Sequence, residues 1–209
     1  FFLAWNMAFT VIDDYVYWGI MGKYLFINDH LPAAGNPLDV RILAYTPGTA
    51  LIHYFFYHLF GRYSTDISYF AQGVVLISAM GVLVKKENIK ASVVSIGLSI
   101  LLLTLFFGSI FTKLQVDYLL SSILFAIFWI CYCEENPFRK LLTIALPICF
   151  LFLIKEIGLL LGWLVLMIVL ADILAAGSVA RKEKVMLSGI VLITGAVLTG
   201  LKLSWTSHV

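Results

Sequence analysis

The sequence predicts an all-α fold: a polytopic transmembrane helix bundle with an outer loop bearing juxtamembrane helices. Three observations predict it. Charged residues make up 12% of the 209-residue chain and hydrophobic residues 62%, whereas soluble domains carry about 25% charged residues. So little charge cannot cover a water-facing surface. Uncharged stretches of about 18–21 residues recur along the chain, matching a hydrocarbon core of ~30 Å at ~1.5 Å per helical residue. Finally, basic residues collect in every second loop, as expected when successive helices cross a bilayer in alternating directions.

Taken in order, residues 1–66 form one unit and residues 67–209 another. The first comprises the end of a first span (Phe1–Ile12), an acidic outer loop and an apolar stretch, Ala44–Phe60. The second is a bundle of about six spans at 67–84, 91–112, 116–133, 138–154, 157–176 and 185–201. Their basic loops hold Lys85, Lys86 and Lys90, then Arg139 and Lys140, then Arg181, Lys182 and Lys184, eight of the fourteen Lys and Arg residues. The positive-inside rule assigns these loops to the cytoplasm and the loops at Lys113–Asp117 and Lys155–Glu156 to the outside. Phe1 in place of Met, and an end at Val209 just beyond an apolar run, read as a piece of a longer chain with an upstream span and a downstream part.

The net charge of +2, without a basic stripe, argues against nucleic acid as a partner. Cys131, Cys133 and Cys149 lie in apolar runs without C-x-x-C spacing, which reads as core or lipid-facing thiols rather than a metal or redox site. His53 and His58 are five residues apart and miss the i, i+4 spacing that sets two ligands on one helix face, so no zinc site is expected.

The charged residues that interrupt the apolar pattern carry the functional reading. Asp13 and Asp14 stand among Trp5, Tyr15, Tyr17 and Trp18. A carboxylate partly desolvated at a membrane boundary has its pKa raised, which suits a general base; the plain alternative is a helix cap or span marker. Lys155–Glu156 breaks an apolar run of nearly forty residues, and a charge at that depth needs a cavity or a partner. It reads either as a phosphate contact or as a pair that neutralises itself. The helix before it either begins near Pro137 or leaves the pair below the lipid headgroups, with only Gly158 to ease the reversal. Asp117 opens a span and reads as a cap or as a second acidic group of an outer site. Asp172 reads as a lone boundary residue. Arg41 and Arg62 flank Ala44–Phe60 and can hold it at headgroup level by snorkelling. That stretch is at the lower length limit for a span, and it reads either as one or as a surface or re-entrant helix.

DDYVYWGIMGKYLFINDHLPA, then YTPGTALIHYFF, VDYLL and LIKEIG, in that order, resemble the GT-C superfamily of membrane glycosyltransferases. These use polyprenyl-phosphate sugars as donors and include protein O-mannosyltransferases and lipid A aminoarabinose transferases. The resemblance covers about residues 5–176 as four short islands. It implies an inverting sugar transfer to a glycan, lipid or protein acceptor at the outer face of a bacterial plasma (inner) membrane. Asp13 would be the catalytic carboxylate, with Asp14 in place of the family's usual glutamate. Asp117 would match the acidic residue of the second outer loop, and Lys155 would contact the donor phosphate with Arg41, Tyr45 and Glu156 nearby. Thr46–Pro47–Gly48 stands at the family's Pro-Pro position with threonine in place of the first proline. The family keeps both acidic loops outside, which favours the surface or re-entrant reading of Ala44–Phe60. It demands no fixed cofactor and allows a divalent metal. A secondary transporter or flippase would also use intramembrane Asp and Lys–Glu groups, but no internal repeat of the kind common in transporters stands out. A non-catalytic membrane scaffold is the third reading.

Overall fold

A computed structural model describes residues 8–9, 12–33, 45–84, 88–107, 113–177 and 179–208. These residues form eight α-helices, and no strand occurs among them. A π-helical turn, Asp14–Gly19, runs into α1 (Ile20–Asn28). There follow α2 (Gly48–Phe60), α3 (Thr65–Met80) with a 3-10 turn at Gly81–Leu83, and α4 (Ile89–Phe107). The last four are α5 (Val116–Cys133), α6 (Pro137–Ile154), α7 (Ile157–Ala175) and α8 (Arg181–His208).

Five helical stretches are long and apolar enough to cross a membrane: Thr65–Leu83, Val116–Cys133, Pro137–Ile154, Ile157–Ala175 and Arg181–His208. Ile89–Leu102 is a shorter apolar helix within α4. The chain is an integral membrane, all-α protein. By contrast α2 has thirteen residues, about 20 Å of rise, short of the hydrocarbon thickness.

Helix α6 is the centre of the bundle, packed against α5, α7 and α8. Ile144, Ile148, Leu151, Phe152 and Ile154 on it are completely buried. It starts early: the Asn136 side chain accepts from the Arg139 N–H at 3.0 Å and Pro137 occupies the first turn, where its missing N–H costs nothing. Beginning there gives α6 eighteen residues, about 27 Å, so Lys155 follows a full-length span. Helix α8 is longer than the expected 185–201. It takes in Arg181–Lys184 at its start and runs on past Lys202, twenty-eight residues in all, because nothing between them breaks the helix. Residues 13–28, in the outer loop expected to bear juxtamembrane helices, are helical, and Met21, Gly22 and Leu25 are a buried face of α1 that packs on α2.

The reversal between α6 and α7 takes only Lys155 and Glu156. A Cβ on Gly158 would lie 2.0 Å from the Leu151 carbonyl oxygen, so no larger residue fits without parting the two backbones. Gly158→Val is expected to cost about 3 kcal/mol, the upper range for overpacking. Thermal unfolding in detergent should show this against Gly189→Ala, where the added methyl meets nothing within 4 Å.

Candidate functional site

Three reversals meet at one end of the bundle: Arg62–Ser64 before α3, Lys113–Gln115 before α5, and Lys155–Glu156 between α6 and α7. The N-terminal helix is fastened to this end through Asp14, which is fully buried. Tyr69 of α3 donates its hydroxyl to Asp14 Oδ2 at 2.8 Å, and the Leu114 N–H donates to Oδ1 at 2.9 Å. Burial pushes the Asp14 carboxyl up; the Tyr69 and Leu114 donors and the Lys113 charge pull it down, while neighbouring Asp13 adds to the rise. Gln72 fixes the same loop by donating to the Lys113 carbonyl at 2.8 Å. Asp14 thus ties α3 and the α5 loop to the N-terminal segment, and Asp13, beside it, is exposed.

Three residues beyond Leu114, Asp117 forms an ion pair with Lys155 at 2.6 Å, and Lys155 keeps about a third of its side chain exposed. Glu156 pairs instead with Lys202 near the end of α8. Lys155 and Glu156 therefore do not neutralise each other; each reaches across to a different helix because adjacent side chains diverge where α6 ends. The pairs bind α5 to α6 and α7 to α8 at the same level.

Tyr45 leads a turn that lies between these groups. Its ring packs on Tyr17 (centroids 5.0 Å) and Trp18 (4.8 Å), within a few residues of Asp13. The turn's Gly48 sits on the Leu153 carbonyl, where a Cβ would come within 2.4 Å, two residues from Lys155. So Asp13, Asp14, Tyr45, Asp117, Lys155 and Glu156 all lie at this end. Arg41 lies outside the described residues. Among the described residues no three His, Cys, Asp or Glu side chains cluster as metal ligands.

Sequence reasoning missed Tyr69, Gln72 and Lys202. Lys202 carried a faint signal, as the charge that ends the last apolar run. Tyr69 and Gln72 carried none, since each looks like an ordinary residue inside a span. Asp172 is not a lone marker. It accepts from Lys140 at 3.1 Å at the opposite, basic end of the bundle, beside a cleft of about 680 Å³ lined by Phe128, Glu134, Lys140 and Val179 among others. Hence Lys140 bridges α6 to α7 just where the positive-inside pattern expects a cytoplasmic loop.

Compared with family models, curated proteins and solved structures, the chain matches none.

Proposed function

We propose that the protein moves a sugar from a polyprenyl-phosphate donor to an acceptor hydroxyl at the Lys155 end of the bundle, the outer face by charge distribution. The observation that carries the reading is the gathering of one exposed carboxylate and one part-exposed lysine at the same end of a membrane-spanning bundle. Asp13 acts as the base that takes the acceptor's proton. The freed hydroxyl oxygen bonds to the sugar's anomeric carbon from the face opposite the lipid phosphate. The carbon–oxygen bond to that phosphate breaks, and the leaving phosphate carries off the electron pair as an anion. Lys155 stabilises the charge as it develops, which is worth most in a site screened from water.

In this reading Asp14 is a positioning residue, because both its oxygens are already engaged by Tyr69 and Leu114. Asp117 and Glu156 set where the two lysines stand. The donor's lipid stays in the bilayer beside the helices. A transporter would place ionisable groups along a path through the membrane; here the pairs stand at helix ends, which favours transfer chemistry.

Asp13→Asn tests the proposal. Loss of a general base typically removes 10²–10⁴-fold of rate, so lipid-linked sugar consumption in membranes should fall by about that factor with insertion unchanged. Product formation at the parent's rate would remove Asp13 from the reaction.

A further inference from the structure

Helix α2 turns its polar side inward. Thr46, in the turn just before α2, precedes Thr49 and His53, which lie four residues apart on one face of the helix. They are 4%, 1% and 0% exposed, while Leu51, Phe55 and Leu59 form a stripe 38%, 61% and 64% exposed. Both threonine Oγ1 atoms and both ring nitrogens of His53 have no hydrogen-bond partner among the described residues. Buried polar atoms are nearly always paired, and an unpaired group needs a reason. The imidazole is covered by α1: a Cβ on Gly22 would come 3.2 Å from His53 Cβ and 3.4 Å from its Nδ1.

Among the described residues no counter-ion is at hand for that ring. On α1, Lys23 lies 5.5 Å over the Tyr63 ring, and Asp29 just after it accepts from Tyr54 and pairs with His58. Before α1, Asp14 is held by Tyr69 and Leu114. On α3, Asp66 is taken by Arg62 and Ser64, and Ser68 by the Tyr57 hydroxyl of α2 itself. At the end of α6, Lys155 is taken by Asp117. Burial alone acts on His53 and pushes it down to about 4.

We propose that α2 is a proton-operated catch. A proton on His53 can be hydrated only if the ring leaves α1, so acid lifts α2 and the Tyr45–Gly48 turn away from the end of the bundle beside Lys155. The unpaired Thr46 and Thr49 hydroxyls are the surface this movement wets. The left-handed Gly61 (φ 67°) that ends α2 marks where the lift would pivot. The catch controls access to this end of the bundle whatever reaction takes place there, so it does not rest on sugar transfer.

The direction follows from the depressed ring. The closed form is fully stable above about 6.5, the ordinary histidine value, and loses stability tenfold for each pH unit down towards about 4.

The test is a Thr49→Cys chain in which Cys131, Cys133 and Cys149 are replaced by Ser, reconstituted in vesicles. Its labelling by a membrane-impermeant thiosulfonate is divided by that of an Ile27→Cys chain, an already exposed site, to cancel the reagent's own pH dependence. The ratio should rise about fortyfold between pH 6.5 and 4.5 and stay flat when His53→Gln is added. A flat ratio in the parent, or an equal rise with His53→Gln, overturns the catch. If Thr49→Cys does not insert, Thr46→Cys reports on the turn that lifts with α2, and His53→Phe replaces His53→Gln on the same terms.

Discussion

Asp14→Ala is expected to detach the N-terminal helix from the bundle and to lower unfolding stability by about 3–5 kcal/mol. The figure comes from two hydrogen bonds to a charged acceptor, each contributing about 1.5–3 kcal/mol. The bonds come from elements far apart in sequence, Tyr69 on α3 and Leu114 before α5, so their loss separates three parts of the chain. The Ala variant also leaves the buried Leu114 N–H facing a void, the costlier way to lose a hydrogen bond. Asp14→Asn should cost much less, about 1 kcal/mol. Its amide oxygen still accepts from Leu114, the Tyr69 hydroxyl can turn to accept, and a buried charge is removed. Unfolding followed by tryptophan fluorescence, with Trp18 close to the break, measures both. Equal midpoints for the parent and the Ala variant would show that Asp14 is not the fastening point.

Lys155→Met should do the reverse, leaving the fold nearly intact and removing donor use. The Lys155–Asp117 pair is short but part-exposed, with 36% and 66% of the two side chains accessible. Pairs of this kind contribute about 0–1 kcal/mol to stability, so the unfolding midpoint should barely move. Removing a cation from a developing phosphate charge, in contrast, costs about 10²–10³ in rate. The loss should appear in kcat/KM for the lipid-phosphate donor and be partly restored by Lys155→Arg, which keeps the charge but not its point geometry. Asp117→Asn should have a smaller effect, about tenfold, because it releases the lysine without removing its charge. A Lys155→Met protein with the parent's kcat/KM would take Lys155 out of the site.

These two carboxylate and lysine positions differ in how far they could be read in advance. Composition and hydropathy are local sums, and membrane residence with its helical spans follows from them directly. The alternation of basic loops likewise follows from residue order, and Lys140 bonding to Asp172 lies at the end this alternation assigns to the cytoplasm. Helix boundaries were legible where a cap signal is written in the chain, as at Asn136–Pro137. They were not legible at Arg181–Lys184, where charge suggested a loop but backbone propensity favoured helix.

The pairings were a different matter. Lys155–Glu156 could be read either as a phosphate contact or as a pair that neutralises itself, and each residue reaches another helix. Asp14 stood beside Asp13 with no partner that the sequence could name, and it is buried against Tyr69 and Leu114. His53 stood out only for missing a zinc-site spacing with His58, and it lies completely buried. Distances between helices decide such contacts, and no periodicity within one helix encodes them.

By itself the sequence determined that this chain is a bundle of membrane-crossing helices, and which charges interrupt them, because burial in lipid acts on every residue through its own transfer free energy. Only the tertiary structure decided which charges face one another, that Asp14 fastens while Asp13 stays exposed, and that Lys155 reaches Asp117. Those choices depend on how α3, α5 and α6 pack side by side, and packing is a property of the assembled bundle.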